Sequence, residues 1–212
     1  MSKLLKALKK SSMVVAGATC IALGTVGSAR AENTVIDFES LAQPGGGLTR
    51  HGFVYGEDGY TLTNNGRPFD FGTFNTGERR YQGSTALFNL TIGGEIVLTK
   101  DDGGLFDLLS IDLGELNVPV STSVSFVGTK SDSTTVEKTF NLDGIFGLET
   151  FAFEGFSQLT SVSWTQDSPF HQFDNIVVAD SKSTPEPASM LGLLGIAALG
   201  TASKLKNKKT KI

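Results

Sequence analysis

Between Glu32 and Lys182 no segment keeps a helical period over a dozen residues. The chain instead breaks into short runs in which Phe, Val, Ile and Thr alternate with small polar residues, punctuated by Gly, Asn and Asp. The runs are Val35–Phe38, Gly59–Thr63, Ala86–Ile92, Glu95–Thr99, Leu105–Leu113, Ser121–Thr129, Thr135–Leu142, Thr150–Phe153, Leu159–Gln166 and Gln172–Val178. A period of two presents one face of each run to a core and the other to solvent. Ile92-Gly93-Gly94-Glu95 predicts a two-residue hairpin, because paired glycines accept the positive φ of a primed turn. Asp101-Asp102-Gly103-Gly104 and Leu142-Asp143-Gly144 predict further turns. Many short strands at regular spacing predict an all-β fold, an antiparallel β-sandwich of jelly-roll type. All 15 phenylalanines and none of the methionines fall in this stretch, so its core is expected to be built from rings.

Charge is distributed unevenly. Residues 32–184 hold 21 of the 22 acids but only 8 of the 18 basic side chains, giving this body about −13 against −4 for the chain. Such a surface repels nucleic acid and anionic membrane, and favours solubility or divalent cations. Some 150 residues make one ordinary domain.

Both ends have a different character. Lys3, Lys6, Lys9 and Lys10 precede an apolar stretch from Met13 to Val26, and Ala29-Arg30-Ala31 supplies a small-x-small cleavage site. Residues 1–31 thus predict a secretory signal helix removed before Glu32, the other reading being an uncleaved anchor. Cys20 would leave with it, so an exported body without disulfides must be held by packing. At the other end, residues 183–212 comprise Pro185-Glu186-Pro187, an apolar run Ala188–Ala202, and Lys204, Lys206, Lys208, Lys209 and Lys211. Fifteen helical residues reach about 22 Å, short of a hydrocarbon core of about 30 Å. The run is membrane-seeking, with its lysines held on the cytoplasmic side; a small packed helix or tail is the alternative. The prolines suit an extended segment that a protease can engage.

The arrangement from Thr184 to Ile212 resembles the PEP-CTERM sorting signal of bacterial surface proteins. That resemblance implies export, transient association with the inner membrane, and processing near Pro185, Glu186 and Pro187 by an exosortase-like membrane enzyme. The tail departs from many in the family in using lysine alone rather than arginine. The body 32–182 resembles the all-β ectodomains common in such proteins, which look like carbohydrate-binding jelly rolls. The similar segments are Ile36-Asp37-Phe38-Glu39, Phe106–Leu113, Leu159–Trp164 and Phe173–Val178. The family arrangement sets the first strand beside the last. It would thereby bring Asp37 or Glu39 near Asp174 around a structural calcium; alternatively these acids satisfy backbone donors at strand ends.

Motifs for catalysis are sparse. His51 and His171 are far apart in sequence and lack a Gly-x-Ser-x-Gly elbow, a His-Glu-x-x-His pair or a phosphate-cradling loop. His171, in Asp167–Gln172, reads as part of an exposed loop. Paired carboxylates leave room for a glycosidase, but 21 acids produce pairs by chance. A sugar-binding face needs exposed rings beside hydrogen-bonding groups. Tyr55, Tyr60, Tyr81 and Trp164 are the candidates, with Arg79, Arg80 and Asn64 or Asn65 as partners. The polar run Asn75–Tyr81 makes Tyr81 the ring expected to be exposed beside Arg79 and Arg80, while Trp164 shares the core face of Val162. The expected protein is an exported, non-enzymatic surface or matrix component that adheres or binds extracellular polysaccharide. A secreted glycan hydrolase and a passive structural subunit are the alternatives.

Overall fold

The computed structural model describes residues 32–66, 68 and 70–181. The cleavage site at Ala29 and Ala31, the Pro185–Pro187 motif and the apolar run lie outside the described residues. Among those described, no helix is long and apolar enough to cross a membrane.

The body is all-β, with every strand pair antiparallel. Its strands are β1 (Asn33–Ile36), β2 (Leu48–Gly52), β3 (Val54–Glu57), β4 (Tyr60–Asn64), β5 (Phe71–Phe74), β6 (Leu87–Asn89) and β7 (Gly94–Lys100). After these come β8 (Phe106–Glu115), β9 (Ser123–Lys130), β10 (Thr135–Asn141), β11 (Glu149–Ala152), β12 (Leu159–Gln166) and β13 (His171–Asp180). One pairing, Leu159 with Phe106, joins two layers. The first layer runs β2-β5-β6-β13-β8-β11, with β1 beside β6 along the same edge of β13. The second runs β3-β4-β7-β12-β9-β10. The first strand does pair with the last, Asn33 opposite Ala179 through Ile36 opposite Ile176.

Rings fill the space between the layers. Phe126 of β9 packs edge-on against Phe153 at 5.1 Å and Phe140 at 5.9 Å, and tilts against Trp164 at 5.3 Å. Trp164 meets Phe173 edge-on at 5.0 Å, and Phe173 meets Phe38 at 5.7 Å. Such pairs each add about 0.5–1.5 kcal/mol beyond burial, which suits a core without disulfides. Trp164 is buried, as the alternation of β12 requires. In β12 the buried Leu159 and Val162 are three apart, and a register shift between Leu159 and Ser161 restores their common face.

Local expectations are corrected in several places. Phe38 ends no strand: its φ of 56° turns the chain into a single 3₁₀ turn, Glu39–Leu41, while its ring stays buried. Gly93 has the positive φ expected of it, 76°, yet no hairpin forms there. β6 pairs with β5 and β13, whereas β7 pairs with β4 and β12, so this turn carries the chain between layers. The tight hairpin lies at Asp58-Gly59, φ 49° and 81°, joining β3 to β4. His171 is not in an exposed loop but buried at the start of β13.

Candidate aromatic and arginine groove

Register places this site on the outer face of the β2-β5-β6 wing. Leu48 lies opposite Phe74, Arg50 opposite Gly72, and Gly72 opposite Phe88. Alternation sends Leu48, Gly72, Phe74 and Phe88 to one face, and Thr73 and the fully buried Leu87 to the core side. Gly72 lies buried beneath them: a Cβ there would meet Leu90, Leu48 and Phe88 at 3.3–3.4 Å. Phe74 and Phe88 stack at 5.0 Å with only 15° between ring planes, and the Arg80 guanidinium lies 5.5 Å from the Phe74 centroid.

Neighbouring loops supply the walls. The chain after β5 is tied to the loop before β2 by Thr76 N–H to Gln43 O (2.9 Å) and Gly77 N–H to Gly45 O (2.7 Å). The Gly47 N–H donates to the Glu78 carboxylate at 3.2 Å. Arg80 is presented from this braced segment. Opposite it, Leu116 N–H donates to Phe170 O at 2.9 Å and Phe170 N–H to Asn117 Oδ1 at 3.0 Å, which fixes the loops flanking β8 and β13. Leu48, Phe74, Phe88, Leu90, Leu116 and Phe170, with Arg80 and Asn117, enclose about 420 Å³. An adjoining hollow of about 240 Å³ shares Arg80, Leu116 and Asn117 and adds Arg79, Val118 and Phe146. Among the described residues no acid lines either hollow, although the body is strongly acidic. The surface suits a ligand with a flat C–H face for the rings and a hydroxyl edge for the guanidinium and amide.

Of the residues named from the sequence, Arg79 and Arg80 line these hollows, and the phenylalanines beside them were not named. Tyr81 is half-buried and lines neither hollow. Tyr60 is core, edge-on to Phe106, and Tyr55 leans on Phe38 with its hydroxyl 3.0 Å from Ser40. Burial pushes the Tyr55 phenol up to about 12. The missed residues are phenylalanines, which composition alone assigns to the core. One signal was available: adjacent Leu87 and Phe88 place large apolar groups on both faces of a short strand.

The acids named for calcium are only partly assembled. Glu39 accepts from Ser84 Oγ (2.7 Å), Thr85 N–H (2.9 Å) and Thr85 Oγ1 (3.2 Å), and Asp37 accepts from Glu39 N–H. The Thr85 amide, foremost, holds the Glu39 carboxyl below its ordinary value. Asp174 is fully buried, takes the Asn175 N–H at 2.7 Å, and leaves Oδ2 without a partner. Burial, aided by Glu39 and Asp112, pushes its carboxyl up to about 7. Glu39 and Asp174 therefore do sense each other, while the Ser84 hydroxyl donates to Glu39. The histidines have separate settings. His51 Nε2 lies 2.8 Å from Thr73 Oγ1. His171 Nδ1 lies 3.2 Å from Gln166 Nε2, and burial pushes its imidazole down to about 4.

No family model matches this chain, and no curated protein matches it. Among solved structures it is similar to a family 29 carbohydrate-binding module, at 14% identity and a TM-score of 0.40, covering 73% of this chain and 91% of the other. A variant of such a module complexed with mannohexaose gives 14% identity, a TM-score of 0.41, and coverage of 73% and 94%. Another, complexed with cellulohexaose, gives 15% identity, a TM-score of 0.37, and the same coverages.

Proposed function

We propose that this chain is an exported, non-enzymatic surface or matrix protein whose jelly-roll sandwich binds extracellular polysaccharide along the groove of Phe74, Phe88 and Arg80. The supporting observation is the groove itself: the half-buried Phe74 ring stacked on the buried Phe88, a guanidinium over Phe74, and an amide at the rim, on a body that is otherwise acidic. A pyranose lays its C–H face on an aromatic ring and directs hydroxyls outward, where Arg80 and Asn117 donate. At about 14% identity and TM-scores near 0.40, the likeness to carbohydrate-binding modules carries no weight for these residues. Delivery follows the sequence: export through the signal at 1–31, cleavage before Glu32, then processing at Pro185–Pro187 by an exosortase-like enzyme.

The test is binding of the full chain to polysaccharide extracted from the producing cells, by calorimetry and affinity electrophoresis. Losing one aromatic or cation–π contact removes on the order of 1–2 kcal/mol, so Phe74→Ala and Arg80→Ala should each weaken binding about tenfold, Phe74→Ala also lowering the unfolding midpoint through the lost ring stack. Equal affinity in both variants rejects the groove. Release of new reducing ends by the wild type would instead support the hydrolase. Concentration-dependent association without glycan affinity would support the structural subunit.

A further inference from the structure

A second feature lies at the end of the sandwich, where the β10–β11 loop folds over the end of β8. One carboxylate oxygen each from Glu115, Asp143 and Glu149 falls within 4.8 Å of the others. Glu115, the last residue of β8, is fully buried on the core-facing side shared with Ile111 and Leu113. Its Oε1 accepts the Gly144 N–H at 2.5 Å, while Oε2 is buried with no hydrogen-bond partner. Among the described residues the ion pairs are those of Lys100 with Asp102 and Asp180, so no salt bridge neutralises this trio. A buried carboxylate grouped with two further carboxylates without a counter-charge is costly, unless something cationic or a proton joins them.

We propose that Glu115, Asp143 and Glu149 form a binding site for a calcium-sized divalent cation, which fastens the β10–β11 loop to the end of β8. Three hard oxygen donors without nitrogen or sulfur select such an ion over zinc or copper. Oxygens within 4.8 Å of one another fit around a common centre at calcium's bond lengths of about 2.3–2.6 Å. The Pro119 carbonyl runs beside the same loop, 3.1 Å from where a Gly144 Cβ would sit, so loop 119–121 is packed against the site. Burial, with Glu149 and Asp143 adding to it, raises the Glu115 carboxyl above its ordinary value, which makes a retained proton the rival way to relieve the trio. The site concerns the stability of the fold and stands whether or not the groove takes a sugar.

The loop it would pin carries Ile145 and Phe146, 65% and 43% exposed, and Phe146 lines the hollow shared with Arg79 and Arg80. Cation loss would therefore loosen one groove wall as well as the fold.

The full chain, stripped with EDTA and dialysed at neutral pH, is titrated with calcium chloride by calorimetry and followed by thermal unfolding. The expected dissociation constant is roughly 0.1–1 mM, in the range of extracellular calcium modules, with a midpoint that rises with added calcium. Asp143→Asn and Glu149→Gln, at an exposed and a half-buried position, should fold, weaken affinity at least tenfold and lose the midpoint shift. Glu115→Gln should lose the shift too, while relieving the unpaired buried charge. No heat and no shift in the wild type overturns the site and leaves the protonated Glu115. An unchanged shift in the Asp143→Asn, Glu149→Gln double variant overturns it as well, placing the ion on other acids.

Discussion

Two fully buried titratable residues, His171 and Asp174, lie three apart on β13 and oppose each other in their effect on stability. The folded His171 refuses, down to about pH 4, a proton that the unfolded chain takes up near 6.5, so stability falls as pH drops through that window. Folded Asp174 keeps, up to about pH 7, a proton that the unfolded chain releases near 3.8, so stability falls as pH rises through its window. Each shift is worth on the order of 3–4 kcal/mol at about 1.36 kcal/mol per pH unit. The two slopes largely offset each other in the wild type. Asp174→Asn should therefore steepen the loss of stability toward acid, and His171→Gln should produce a loss of stability toward neutral pH. Urea midpoints taken from about pH 4 to pH 7.5 check both; parallel profiles for wild type and variants would mean that neither group titrates differently on folding. Neither burial was legible in the sequence. His171 follows Pro169-Phe170 in a polar-looking stretch, and only the pairing of His171 with Glu115 draws it into the sheet.

At the scale of elements, the ten strand segments read from alternation each overlap an observed strand, and Leu159–Gln166 matches residue for residue. β2, β3 and β5 were missed. Their alternation is broken by Gly52, Gly56 and Gly72, and β2 and β3 carry no fully buried residue to mark a core face. The hairpin failed at Gly93-Gly94 for a tertiary reason. Asn89 at the end of β6 exchanges two amide hydrogen bonds with Asn64 of β4, at 2.8 and 2.9 Å, clasping opposite layers together. The clasp extends through Gln166 Oε1, which accepts the Asn89 N–H at 3.3 Å, to His171. Gly94 is required beside it, since a Cβ there would sit 2.4 Å from Asn89 Nδ2. Asn89→Ala removes both amide bonds of the clasp, leaving Asn64 Oδ1 the Gly66 N–H, and should cost on the order of 1–3 kcal/mol. A change in the denaturation midpoint within error would show that the clasp contributes no net stability.

For the whole molecule, fold class was legible because the period of two and the spacing of turns survive without tertiary knowledge. The candidate groove was not. Sequence pointed to the segment Asn75–Tyr81 through its charges, and two of its three named residues do line the hollows. The platform depends instead on cross-strand register among β2, β5 and β6, which brings together residues 48, 72, 74 and 88. A sequence-only view cannot tell the half-buried Phe74 and the buried Phe88 of this wing from phenylalanines packed between the layers. Arg79 and Arg80 give the most direct test, since they line the hollows without being buried. The Arg79→Ala, Arg80→Ala double variant removes both guanidiniums, that over the Phe74 ring included. In calorimetric titration of the full chain with the producing cells' polysaccharide, the wild type is expected to bind. The double variant is expected to lose at least tenfold in affinity with an unfolding midpoint close to wild type. Binding of equal strength by the folded double variant, or no binding by the wild type, would contradict the groove as a polysaccharide site.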